Sequence, residues 1–341
     1  MTLRFMVAAI LAGLLTSAAS AQPSLHEPGS VLVFPYFDST DGATTLLQIT
    51  NTDRRVGYCE ATDQREGDIV LEYRYCDPLN DEDHPAFEFL VPGDTATVIA
   101  EQHDPLSKIG FVVVTALGPT TLEPVDFDHL IGSAVVALGG SNRLVKYGAY
   151  SFRAPATSED LCDRTRTDAD GDGARDFDGV EYDFFPETLV LDQFFEEDEE
   201  RGRFDSQIAF MHLVPEPYSA VARVLFWNNI EQKFSRTLVL DSSFWMGSLS
   251  DISAIVNNFG GDEEELGFED VETGWATFEA SRAIDEDENP VPGIPRSPVL
   301  AVFLQTVTNT SFTTSRVLPS VGTIDGLEYP EGDGDPQAID P

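Results

Sequence analysis

The sequence predicts an all-β protein: two tandem Ig-like β-sandwich modules joined by an acidic connector that holds a calcium loop. Three observations carry this reading. Short apolar-alternating runs rich in Val, Thr, Phe and Tyr recur along the chain, separated by Gly, Pro, Asn and Asp. Helical periodicity is scarce, with Ser250–Asn257 as a short stretch that reads as a helical turn. Acidic residues concentrate between two β-rich halves, where residues 156–206 hold 18 Asp or Glu against 5 Arg. One large β-sandwich is the alternative architecture.

The N-terminus comes first in order. One positive charge at Arg4, an apolar run from Phe5 to Leu15 and the small-residue site Ala19-Ser20-Ala21 read as a secretory signal. The run is short of the about 20 apolar residues a membrane span needs. Residues 1–21 are therefore expected to be removed, and the mature chain is expected to be secreted with no transmembrane segment.

The first module is expected over residues 22–155. Its strands read as Ser30–Asp38, Thr44–Asn51, Ile69–Cys76, Thr95–Glu101, Gly110–Leu117, Gly132–Leu138 and Val145–Arg153. In Ile69–Cys76 the alternation puts Leu71, Tyr73 and Tyr75 on one face and Glu72, Arg74 and Cys76 on the other, expected to be the surface. Of the three cysteines, at 59, 76 and 162, the pair closest in sequence is the expected disulfide. Three pairings are possible, and Cys59–Cys76 would staple the surface.

The second module is expected over residues 207–325, with strands Gln207–Val214, Ala220–Asn228, Lys233–Leu240, Gly274–Ser281 and Pro298–Thr310, followed by an acidic tail at 326–341. An internal repeat supports two modules. Leu46–Asn51 matches Val224–Asn228 in pattern, and Gly110–Ala116 matches Gly274–Ala280. Each of the latter two is followed 22 to 25 residues on by another apolar strand, from Gly132 and from Val299.

The connector, 156–206, carries the motif with the most chemistry. Asp168, Asp170, Asp172 and Asp176 stand at positions 1, 3, 5 and 9 of a loop, with Gly173 at position 6 and the Ala174 carbonyl at position 7. Calcium takes about six to eight oxygens, and acids on alternate residues of a tight loop point them inward. The position-12 glutamate of a helix–loop–helix calcium hand is replaced by Gly179. The D-x-D-x-D-G-x-x-D pattern instead resembles the calcium repeats of thrombospondin type 3. That resemblance implies further ligands from nearby acids, here Asp178, Glu181 or Asp183, around one Ca²⁺.

The opening segments Gly29–Asp38 and Thr44–Asp53 are similar to those of secreted β-rich proteins from environmental bacteria. Those proteins start with a "VLVFP" strand and an "ITNT" strand, and carry a "DxDGDG" segment before a second β-rich half. The resemblance covers most of the chain and implies export and architecture.

Chemistry is less legible. G-x-S-x-G, H-E-x-x-H and phosphate-loop motifs are absent, and the five histidines show no metal-ligand spacing. The leading expectation is a secreted or cell-surface structural or interaction protein with a calcium-stabilised loop and a protein or glycan partner. The alternative is a carbohydrate-binding protein or a glycoside hydrolase using paired carboxylates. Trp227, Trp245 and Trp275 are candidates for a sugar-stacking platform, although strand alternation assigns at least Trp227 and Trp275 to the core. The net charge of −40, with only three lysines, excludes electrostatically driven binding to nucleic acid or anionic membrane.

Such a surface repels itself where salt does not screen it. The melting temperature is expected to rise by roughly 5 °C between about 10 mM and 1 M NaCl; a midpoint indifferent to salt would contradict this reading.

Overall fold

The computed structural model describes residues 27–40, 42–55, 57–59, 64–76, 85–138, 143–154, 175–195, 204–214, 217–228, 233–252, 273–292, 296–307, 313–318, 320–324 and 328–329. The signal segment, the Gly139–Asn142 turn, Cys162, the calcium-loop positions Asp168, Asp170, Asp172 and Ala174, and all of the tail beyond Tyr329 lie outside them.

The first module is built from β1 (Val31–Asp38), β2 (Thr44–Asn51), the short pair β3 (Tyr58–Cys59) and β4 (Gln64–Arg65), β5 (Ile69–Cys76), β6 (Ala86–Leu90), β7 (Thr95–Ile99), β8 (Ile109–Leu117), β9 (Leu130–Leu138), β10 (Arg143–Gly148) and β11 (Tyr150–Phe152). A 3₁₀ turn, Ala100–His103, follows β7. The connector contributes β12 (Arg175–Asp176). The second module holds β13 (Phe185–Phe195), β14 (Phe204–His212), β15 (Ala220–Asn228), β16 (Lys233–Leu240), β17 (Phe244–Ser248), the helical turn α1 (Leu249–Ile252), β18 (Thr273–Ala280), β19 (Val299–Val307), β20 (Thr313–Val317), β21 (Ser320–Ile324) and β22 (Glu328–Tyr329).

The all-β sandwich class is the one the alternation predicted. In module 1 a five-stranded sheet A, ordered β11-β1-β8-β5-β6, packs on a four-stranded sheet B, β10-β9-β2-β7. In module 2 the five-stranded sheet G reads β16-β15-β18-β13-β21 and the four-stranded sheet H reads β17-β14-β19-β20. Pairing β1 with β13, β2 with β14, β5 with β15, and so on to β11 with β21, turns each order of module 1 into that of module 2 read backwards. The two halves thus share one nine-strand plan.

Local irregularities repeat as well. Between Phe34 and Phe37 β1 carries one residue more than β8, and between Leu191 and Phe194 β13 carries one more than β18. Beyond each bulge a phenylalanine faces a glycine, Phe37 opposite Gly110 and Phe194 opposite Gly274. Both glycines lie where a Cβ would strike the neighbouring strand's carbonyl oxygen, of Cys76 and of Trp227 respectively. The expected match of Gly110–Ala116 with Gly274–Ala280 therefore holds strand for strand. The match of Leu46–Asn51 with Val224–Asn228 does not: those residues lie in β2 and β15, whereas the counterpart of β2 is β14. The shared trait, an apolar strand ending at Asn, is too common in β-proteins to fix a register.

Other boundaries move too. Phe185–Phe195, placed in the connector because acids flank it, is an inner strand of sheet G, so module 2 begins near Phe185. Val145–Arg153 divides into β10 and β11 at Ala149. Glu328–Tyr329, placed in the tail, pairs with β12.

Sheet A lies between B and H, G lies on H, and B and H also meet at their edges through β10 and β20. Leu32 and Phe34 of β1 face Gly132 of sheet B. On the other side of sheet A, β1 meets β14 and β19 and β8 meets β17. One hydrophobic cluster runs from Val31 to Leu318 through both modules. Consequently β1 is buried along its whole length, as its unbroken apolar run requires, and so are Ile208–His212 and Val299–Leu304. The face carrying Glu72 and Arg74, expected at the surface, is covered: both are 4% exposed. Cys76 keeps a thiol, its Sγ 4.0 Å from the Arg74 carbonyl, while Cys59 is disulfide-bonded. The expected Cys59–Cys76 staple is not formed.

Ala at Gly110 or at Gly274 would push two strands apart. Each substitution is expected to cost roughly 1–3 kcal/mol in urea unfolding; parent-like stability of both variants would remove these glycines from the fold's requirements.

Candidate functional site

Two places draw together the residues the sequence singled out. The first is the junction where the connector crosses from module 1 to module 2. Phe152 at the end of β11, Phe177 in the connector and Phe185 at the start of β13 form a triangle of rings with centroids 4.8–4.9 Å apart, and Tyr182 adds a fourth ring 5.5 Å from Phe177. The segment 178–182 bends between Phe177 and Phe185, and Phe177 and Tyr182 are buried together with the flanking acids Glu181 and Asp183.

Arg175 leaves β12 and enters the A–H side of the stack at 2% exposure. Its Nη2 donates to Oε2 of Glu72 at 2.6 Å, and Nη2 of Arg74 donates to Oε1 at 2.7 Å. Burial alone would raise the Glu72 carboxyl, but Arg175 and Arg74 outweigh it and hold the group below the usual range. Breaking so buried a pair by removing one partner costs roughly 3–5 kcal/mol.

Beside it the described calcium-motif residues form a turn. The Asp176 N–H donates to Glu181 Oε2 at 3.3 Å and the Tyr182 N–H to the Asp176 carbonyl at 3.0 Å. Asp178 Oδ1 accepts from the Val180 and Glu181 N–H groups at 2.7 and 3.0 Å. Gly179, standing where a calcium hand has glutamate, sits at φ +80, a left-handed position that glycine fills without strain. Asp176 and Glu181 offer hard oxygens of the type calcium takes, with Glu181 at 1% exposure, while one oxygen of Asp178 is committed to its own turn. Among the described residues no group of three or more His, Cys, Asp or Glu could hold a metal ion.

Asp128 and Asp183 meet at this junction around Arg153. Asp128 Oδ1 accepts from the Ser30 hydroxyl at 2.8 Å and the Ala154 N–H at 2.9 Å, and Asp183 Oδ2 accepts from Arg153 Nε at 3.1 Å. Asp128 thus pins a hydroxyl and backbone while Asp183 pins an arginine, a structural use of paired acids. A second cluster, not singled out by sequence, lies near the β6–β7 hairpin. There the Tyr75 hydroxyl is 2.9 Å from His103 Nδ1, and the Tyr73 hydroxyl donates to Glu88 at 3.1 Å. Burial raises both phenols and lowers His103, so the cluster stays uncharged at its centre.

The second place is the outer face of sheet G. Trp227 and Trp275 are directly paired across β15 and β18, and their rings stack 3.7 Å apart at 3°. Trp275 is 39% exposed, and the Lys233 ammonium lies 5.0 Å over the Trp227 ring. Both indoles therefore stand on the solvent side, where strand alternation had put them in the core. Trp245 is half-buried against Phe210.

No family model matches the chain, and no curated protein matches it. Among solved structures the chain is similar to one in the cryo-EM atomic structure of Broad Bean Stain Virus, at 7% identity over 94% of this chain and 98% of that one. The TM-score of 0.17 is too low for that likeness to carry an argument. No helix among the described residues is long and apolar enough to cross a membrane.

Asp128 gives the junction a pH signature. Burial pushes its carboxyl up to about 6, with Asp183 adding to the rise and the Ala154 and Ser30 bonds opposing it. The native state thus holds this proton more tightly than the unfolded chain, so its contribution to stability is present below about pH 4 and lost as pH rises through about 6. Asp128→Asn is expected to gain roughly 1–2 kcal/mol at pH 7.5 and nothing at pH 4 in urea unfolding. A difference from the parent that does not change with pH would defeat this assignment.

Proposed function

We propose that the chain is an exported, non-catalytic interaction protein whose two sandwiches are held in one geometry by a calcium-braced connector. The observation that supports it most is the position of Arg175. This residue directly follows the loop 168–174, reaches Glu72 in module 1, and belongs to β12, which pairs with β22 near the C-terminus. The acidic segment before it repels itself, and one Ca²⁺ bound by Asp168, Asp170, Asp172, the Ala174 carbonyl and Asp176, with Glu181 behind them, would neutralise part of that charge where the chain must be fixed.

Titration of the mature protein with Ca²⁺ in a calorimeter is expected to give one site, lost in Asp170→Ala and Asp172→Ala. Chelation with EDTA is expected to raise proteolysis between residues 160 and 200. Heat unchanged in both variants, or equal cleavage with and without chelator, would overturn the reading.

A further inference from the structure

The bulge shared by β1 and β13 serves two ends. In module 1 the two residues opposite Phe111 are Pro35 and Tyr36. Tyr36, 1% exposed, stacks on Phe244 of module 2 at 6.4 Å and 12°, so this spot is where one module receives the other. In module 2 the same spot holds Asp192 and Gln193, both exposed, opposite Trp275. One face of the Trp275 ring lies on Trp227, and the far face of Trp227 lies under Lys233. The remaining face of the stack belongs to Trp275 and borders the strand that carries Asp192 and Gln193.

We propose that this spot binds a neutral glycan, one hexopyranose stacking its C–H face on Trp275 while Asp192 and Gln193 hydrogen-bond its hydroxyls. Charge selects this occupant. An indole face also stacks nucleobases and cations, but a chain of net charge −40 repels nucleic acids and acidic polysaccharides alike. A cation site rings its ligand with several aromatic faces or carboxylates, whereas among the described residues the open face of Trp275 is bordered by one carboxylate, Asp192, and the neutral amide of Gln193. Elsewhere on the face Ser235 and Thr237 are exposed, Arg223 is paired to Glu279 at 3.8 Å, and Val239 is an exposed apolar side chain at the far end of β16, so the indoles form a small apolar spot rather than part of a broad apolar interface.

The test is an array of neutral oligosaccharides probed with the mature chain, followed by calorimetry on the best ligand. Trp275→Ala is expected to weaken binding at least tenfold, Trp275→Phe to retain part of it, and Asp192→Ala to weaken it several-fold, all with parent-like melting. In the parent, the glycan is expected to shield tryptophan fluorescence from acrylamide, a readout that survives if the alanine variant does not fold. Absence of any neutral glycan ligand, binding unchanged in Trp275→Ala, or no shielding would each overturn the proposal. Parent dimers that Trp275→Ala converts to monomers in sedimentation would overturn it in favour of a second copy of the chain.

Discussion

Everything in this molecule is organised by the apolar contact between the outer face of sheet A and the outer face of sheet H. A β-sandwich ordinarily buries one face of each sheet and wets the other. Here Val31 and Val33 of sheet A meet a second module instead of water, and the consequences spread from that contact. Glu72 and Arg74 fall on the covered face, so a third charged group must reach them, and Arg175 is that group. Its arrival fixes where the acidic connector ends. Tyr150 extends the same logic at the sheet edge, donating from module 1 to the carbonyl oxygens of Ala301 and Leu318 in module 2 at 3.0 and 2.8 Å.

The two modules share one strand plan and put it to different uses. Strand order, the bulge on the first strand and the glycine beneath a phenylalanine are common to both. These are backbone devices: an extra residue raises the local twist, and a missing side chain lets an aromatic ring lie across a strand. What differs is the chemistry on the faces. At matching positions module 1 has Phe111 and Cys76 where module 2 has Trp275 and Trp227, and Glu72 where module 2 has Arg223.

How far the sequence could be read follows from this. Period-two alternation identified the β class, most strands and the residues that share a face, because those depend on local geometry. It could not say which face is covered. Glu72 and Arg74 were expected in water because they are charged, and Trp227 and Trp275 in the core because they are large. Both expectations fail for one reason: in stacked sheets the covering layer, where there is one, comes from more than a hundred residues away. β13 was assigned to the connector because its acidic flanks masked the extent of its apolar centre, and the Tyr73–Tyr75–His103 cluster was missed because its members are joined only through the fold. The calcium motif is legible as spacing alone, and of its candidate acids Asp176, Asp178, Glu181 and Asp183 are the described ones.

A stack built this way has no intrinsic length, since each five-stranded sheet can in principle accept another four-stranded one. What stops it at two is the restoration of alternation on the terminal faces. On sheet B, Thr44, Gln48 and Thr50 interrupt Leu46, and Thr95 and Thr97 do the same beside Ile99. On sheet G, Ser235, Thr237 and Arg223 perform the same service. These small polar residues act as the terminators of an otherwise extensible architecture. A few apolar replacements among them would turn a finite pair into a growing end, because the contact they block is heterologous and does not close on itself.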